Sequence, residues 1–187
     1  MSPSRVAVLV GSLRRGSYNR MMANTAREVA PASLQLADIA IGDLPLYNQD
    51  LETDAPPPAW RRFRDEMRGC NAVLFVTPEY NRSVPGVLKN AIDVGSRPYG
   101  QSIWSGKPAA IISVSPGALG AFGANQHLRQ SFVFLDMPIL QQPEAYIGGA
   151  AKLFDEQGRM TSEDTREFVR KFMASFAQWI ARTTRAS

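Results

Sequence analysis

Apolar runs rich in branched residues recur along the chain, at 6–10, 34–39, 72–77 and 109–114, with a shorter run at 138–140. Between them the spacing changes to a helical one. Met22, Ala26 and Val29 fall on one face, and Trp60, Phe63 and Met67 on another; Val84, Val87, Leu88, Ala91 and Ile92 follow i, i+3, i+4, i+7, i+8, and Leu128, Phe132 and Leu135 repeat the pattern. A last helix opens at Thr161-Ser162-Glu163-Asp164 and carries Phe168, Val169, Phe172, Met173, Phe176, Trp179 and Ile180 as its stripe. Runs that are continuous rather than alternating mark strands buried on both faces, so the pattern predicts an α/β protein: a five-stranded parallel sheet, doubly wound in three layers. Ligands of such sheets bind beyond the carboxyl ends of the strands, where strand order reverses. That directs attention to the loops after Val10, Thr77 and Val114.

A chain of 187 residues, 44% of them apolar, is expected to form a single domain over 1–187. No window approaches the roughly 20 apolar residues of a membrane span. The N-terminal residues enter a strand without a signal-peptide core, so a cytoplasmic protein is expected, with no membrane partner. The net charge of +4 comes from 21 basic and 17 acidic residues that are scattered, which favours small anions over nucleic acid. One histidine and one cysteine are poor material for a metal site or a nucleophilic triad, so the chemistry is expected to come from a cofactor.

The first loop, Gly11-Ser12-Leu13-Arg14-Arg15-Gly16-Ser17-Tyr18-Asn19, fits neither common phosphate template: it lacks G-x-x-x-x-G-K-[ST] and G-x-G-x-x-G. It does place the donors Ser12, Arg14, Ser17 and Asn19 at the start of a helix, which suits a terminal monophosphate. The same residues also read as a plain cap, with Ser17 or Asn19 at the helix start and the arginines solvated. The second loop is stiffened by Pro78 and Pro85, and exposed amides on a rigid loop suit a flat heteroaromatic ligand.

Together, G-S-L-R-x-x-S-x-N-R at 11–20 and T-P-E-Y-N-x-S-x-P-G-x-L-K-N-A-I-D at 77–93 resemble the NADPH-dependent FMN reductase family, in particular its chromate and quinone reductase branch. The likeness extends to Asp43-Leu44-Pro45-Leu46-Tyr47-Asn48 and Gln126-His127-Leu128-Arg129-Gln130. It implies a flavodoxin-like fold with strand order 2-1-3-4-5, non-covalent FMN, NADPH or NADH as co-substrate, and a homo-oligomer, dimer or tetramer, with flavin near a subunit boundary. By position it implies that Ser12, Arg14, Ser17 and Asn19 hold the FMN phosphate. Pro78, Glu79, Tyr80 and Asn81 would line the isoalloxazine, largely through backbone groups, with Ser115 and Gly117 on its other side. The implied reaction is two-electron, ping-pong transfer to small-molecule acceptors: quinones, free flavins, azo or nitro compounds, or chromate. A flavodoxin-type electron carrier and a flavin-binding regulatory protein are the rival readings; such carriers are usually strongly acidic, whereas this chain is basic.

Other conspicuous residues read as structural. His127 is expected to be a surface hydrogen-bonding residue, Cys70 a small buried hydrophobe, and Glu79 a loop residue offering its backbone amide. Lys89, Asn90 and Asp93 are expected to tie helix to loop. Trp60 and Trp179 read as core or interface, and Trp104 as a residue at the mouth of the site. Arg82 stands at a variable position of the second motif and takes no role from it.

Overall fold

The computed structural model describes residues 2–184. Its sheet contains β1 (Ser4–Val10), β2 (Leu34–Asp38), β3 (Ala72–Thr77), β4 (Ala109–Val114) and β5 (Ala145–Ile147), all parallel, in the order β2-β1-β3-β4-β5. Five helices cover it: α1 (Tyr18–Val29), α2 (Pro58–Arg68), α3 (Gly86–Gly95), α4 (Phe122–Phe134) and α5 (Glu163–Thr183). No helix among the described residues is long and apolar enough to cross a membrane.

Alternate side chains of each central strand feed opposite cores. Val6, Val8 and Val10 pack with α1 and α5, around Met22, Ala26, Phe172 and Phe176. Ala7 and Leu9 pack with α2, α3 and α4, around Phe63, Leu88, Leu128 and Phe132. Every residue of β3 and β4 is buried, which is why their sequences do not alternate. The two cores therefore place the N-terminus of α1 on one face of the sheet and the α3–α4 pair on the other. The strand order reverses between β1 and β3, so the loops after those strands diverge and leave a crevice at the sheet's carboxyl edge.

Two expectations are corrected. The fifth strand is not 138–140. Ile139 makes only an isolated bridge to Ala109, and the chain moves outward before Ala145–Ile147 pairs with the later half of β4, Ile112 opposite Ala145. Pro138 has no N–H to give a ladder, and the true strand has three residues, too few for a periodic signal. Trp104 does not border the site: it is fully buried between Phe63 and Phe75, its indole N–H donating to Ile92 O at 2.9 Å. Gly95 makes room for it, since a Cβ there would fall 2.6 Å from the indole. Cys70 is buried as expected, its thiol donating to Glu66 O and pushed up in pKa chiefly by burial. Lys107 donates to Met67 O and Cys70 O at the end of α2, and burial lowers its pKa.

Candidate active site

The first loop begins with backbone packed tightly under it. Gly11 N–H donates to Val76 O at 2.9 Å, and a Cβ at Gly11 would lie 3.2 Å from both Leu88 and Pro78. Ser17 caps α1, its hydroxyl accepting from Arg20 N at 3.3 Å, while the first N–H groups of the helix have no intrahelical partner. Ser12, Ser17 and Asn19 are buried, whereas Arg14 and Arg15 are exposed and make no ion pair among the described residues. Capping and an anion cradle are thus compatible in one loop. The Asn19 side chain reaches across to β4, donating from Nδ2 to Val114 O at 3.5 Å, and its Oδ1 is buried without a protein partner.

The second loop closes on itself. Tyr80 and Ser83 exchange both backbone hydrogen bonds, 3.1 and 2.9 Å, around Asn81 at φ 50° and Arg82 at φ 65°. Two successive positive φ angles define a type I′ turn, the tightest way to reverse a two-stranded ribbon. Glu79 acts through its side chain: Oε2 accepts from Ala124 N at 3.0 Å, at the start of α4. The carboxylate meets the positive end of that helix and fastens the second loop to the element that follows the third. Gly123 is required there, because a Cβ would lie 2.9 Å from Glu79 Oε2 and 2.8 Å from Arg82 O.

The third loop is bound down by the turn after β5. Ser115 N donates to Ile147 O, Ala150 N to Ser115 O, and Gly149 N to Gly117 O, at 3.0 to 3.3 Å. The Ser115 hydroxyl donates to Gly117 O at 3.2 Å. Gly120 and Ala121 both take left-handed conformations, and a Cβ on Gly120 would sit 2.6 Å from the Tyr146 backbone. Beneath them Ser113 donates to Gly120 O and receives from Asn125.

These three loops share the carboxyl edge of the sheet, and each lifts one large apolar side chain into solvent: Leu13 at 62% exposure, Tyr80 at 50% and Leu119 at 64%. Polar donors on one loop with apolar residues on all three make a site for a ligand with a charged end and a flat apolar body.

A fourth segment, which contains the Asp43–Asn48 motif, supports them. Asn90, buried on α3, donates from Nδ2 to Leu44 O and Pro45 O, both at 3.1 Å, and accepts from Tyr47 N at 2.8 Å. Trp60 Nε1 adds a donation to Pro45 O, and the Tyr47 ring stacks on Trp60. Further along, Glu52 meets the buried Arg64 in a two-bond pair at 2.8 and 2.7 Å. The clamped segment reaches the first loop, where a Cβ on Gly42 would fall 2.9 Å from Leu13. Lys89 and Asp93, expected to tie helix to loop, pair with each other along α3 at 2.8 Å. His127 is exposed on α4, its Nδ1 lying 2.9 Å from Ser83 Oγ. The Gly148-Gly149 turn has the glycine pair as its signal in the sequence.

The profile of the NADPH-dependent FMN reductase family matches residues 4–152. A quinone reductase of Pseudomonas putida is 66% identical over 175 residues, 94% of each chain. A 2-hydroxy-1,4-benzoquinone reductase of a Burkholderia species is 47% identical over 176 residues, 94% of this chain and 96% of that one. Among solved structures, FerB, the flavoenzyme NAD(P)H:(acceptor) oxidoreductase of Paracoccus denitrificans, superposes with a TM-score of 0.90 at 43% identity, covering 96% of this chain and 98% of its own.

Proposed function

Because the chain belongs to the NADPH-dependent FMN reductase family, we propose that it is an FMN-dependent NAD(P)H oxidoreductase whose acceptors are quinones, acting as one flavin-binding unit in the cytoplasm. The observation that carries this reading is the three-loop edge itself, where the buried hydroxyls of Ser12 and Ser17 at the start of α1 and three exposed apolar side chains converge. The donor set fits the cofactor. Ser12, Ser17 and the unpaired Arg14, with the open amides of the first turn of α1, would hold its phosphate, at about 1.5–3 kcal/mol for a hydrogen bond to a charged group. Asn19 would join the first loop to β4 while its backbone N–H, in the first turn of α1, adds to the cradle; its orphaned Oδ1 is an acceptor, so it would pair with a donor of the ligand and not with a phosphate oxygen. Pro78, Glu79, Tyr80 and Asn81 would form one wall for the ring and Ser115 and Gly117 the other, the two walls tied through the Glu79 carboxylate on α4.

Bound FMN supplies two-electron hydride transfer, taken from NAD(P)H and passed to an acceptor in a ping-pong cycle. The chain supplies placement. The type I′ turn and the tied third loop would hold the ring's surroundings rigid, and Tyr80 and Leu119 would shield its flat surface from water. No protein nucleophile is required, and His127, engaged with Ser83, is left as a structural residue. Free flavins, azo and nitro compounds and chromate extend the proposed acceptor range.

Self-association belongs to the same proposal. The apolar stripe of α3 is used internally, Leu88, Ala91 and Ile92 being core residues, whereas Val133 and Phe134 at the end of α4 are each 82% exposed. They offer a surface for a second copy. The test of the function is a steady-state assay of the purified, FMN-loaded protein with NADPH or NADH against a panel of acceptors. Quinone-dependent coenzyme oxidation is expected; FMN binding without it would favour the electron-carrier reading.

A further inference from the structure

Arg82, at the tip of the second loop, has no structural employment. Arg82 is exposed, and among the described residues its guanidinium has neither a hydrogen bond nor an ion pair. Its backbone is held at φ 65°, in the second central position of the type I′ turn, where a Cβ is unfavourable and glycine or asparagine is the usual occupant. Strain of this kind persists only where the surroundings impose it, and here they do. The turn is locked by the paired Tyr80–Ser83 hydrogen bonds, by Glu79 on Ala124 N, and by Arg82 O packed against Gly123. The base of the side chain is rigid and its charged end is free.

Beside the turn, between α3 and α4, runs a cleft of about 430 Å³ lined by Ser83, Val84, Lys89, His127, Gln130 and Ser131. That volume is within the range of small-molecule sites, roughly 300–1,000 Å³. Its own lysine is paired with Asp93 at 2.8 Å, and Arg82, exposed and unpaired, directly precedes Ser83 of the lining. The cleft lies on the α2–α3–α4 face of the sheet, opposite α1.

We propose that Arg82 determines coenzyme choice: its guanidinium binds the 2′-phosphate of NADPH, with the adenosine end of the coenzyme lying along the α3–α4 cleft. The proposal rests on the NAD(P)H-oxidising reading of the flavin site. The chemistry is that of the guanidinium fork, whose parallel N–H groups match two oxygens of a phosphomonoester, a group NADH lacks.

The test compares wild type with Arg82→Gly, and with Arg61→Ala as a control for net charge on exposed α2. Glycine suits the turn's backbone, so Arg82→Gly keeps the fold, and its thermal midpoint is expected to stay level or rise. With a neutral quinone as acceptor, the ratio of kcat/KM for NADPH to that for NADH should fall at least tenfold in Arg82→Gly and stay within twofold in Arg61→Ala. Calorimetric titration of the FMN-loaded protein gives a second readout: 2′,5′-ADP should bind more tightly than 5′-AMP to wild type, and Arg82→Gly should remove the difference. An unchanged NADPH:NADH ratio, a parallel loss with both coenzymes, or an equal fall in Arg61→Ala would overturn the assignment. If wild type holds FMN yet oxidises neither coenzyme, the underlying enzymatic reading falls and takes the assignment with it. Oxidation of both coenzymes with no effect of Arg82 sinks the assignment alone.

Discussion

Replacing Asn90 by alanine severs three hydrogen bonds between α3 and the 44–47 segment. Their loss is unequal. Pro45 O keeps its bond from Trp60 Nε1, but Leu44 O and Tyr47 N have no other protein partner among the described residues. Two groups stranded beneath a loop that is only half-buried fall in the lower part of the roughly 1–3 kcal/mol range, at about 1–2 kcal/mol each, and give an expected loss of about 2–4 kcal/mol. At the roughly 2–4 °C per kcal/mol usual for a chain of this size, the melting midpoint should fall by about 5–15 °C. Asn90→Asp separates the bonds. The new carboxylate still accepts from Tyr47 N, but its second oxygen faces the Leu44 and Pro45 carbonyls. Burial and those oxygens raise the introduced carboxyl's folded-state pKa above its unfolded value. Its contribution is therefore complete below the unfolded pKa and drains away as pH rises through the folded one. Urea unfolding of both variants across pH, with FMN titration of the apo-proteins, is the assay. Affinity should weaken with stability, because the segment abuts Leu13 through Gly42. A loss below about 1 kcal/mol for Asn90→Ala, or a pH-independent Asn90→Asp, would show that the clamp does not hold the loop.

Further outcomes follow from the same geometry. Arg14→Ala should weaken FMN binding at least tenfold and Arg15→Ala no more than twofold, with riboflavin binding poorly to both; apo-protein titration decides, and equal losses would mean the cradle is misread. Gly120→Ala combines a positive φ with a Cβ 2.6 Å from the Tyr146 backbone, so it should cost about 2 kcal/mol or more and loosen the third loop, measured by urea unfolding. The Cys70 thiol, raised in pKa by burial, is neutral in the native protein near neutrality. Its contribution to stability is complete below the unfolded pKa of about 8.5 and is lost as pH rises through the raised folded value. Alkaline destabilisation should therefore be shallower in Cys70→Ala, and thiol reagents should label Cys70 only on unfolding.

β1, β3, β4 and every long helix are legible because burial on both sheet faces writes itself as continuous apolar runs, and helix faces as 3.6-residue repeats; the edge strand β2 is marked only by Leu34, Leu36 and Ala37 among polar residues. β5 is not legible, since three residues flanked by Pro143 and Gly148 leave no period to read. At the site, the donors of the first loop could be picked out because capping and anion binding draw on the same residue types. The Glu79 bond to Ala124 and the Asn90 bonds to Leu44, Pro45 and Tyr47 span 45, 46, 45 and 43 residues, and no local pattern encodes a contact at that separation. Trp104 misled for the same reason. A loop tryptophan reads as exposed until Gly95, on another element, is seen to make room for it.

The central claim is that this edge binds FMN so that NAD(P)H can reduce it and a quinone can reoxidise it. Anaerobic stopped-flow mixing of the FMN-reconstituted protein with NADPH, followed by a second mix with benzoquinone, tests that most directly. The account predicts rapid loss of the oxidised flavin's visible absorbance in the first mix and its full return in the second, at one flavin per chain. Flavin that stays oxidised in the presence of excess NADPH and NADH, while bound, would contradict it.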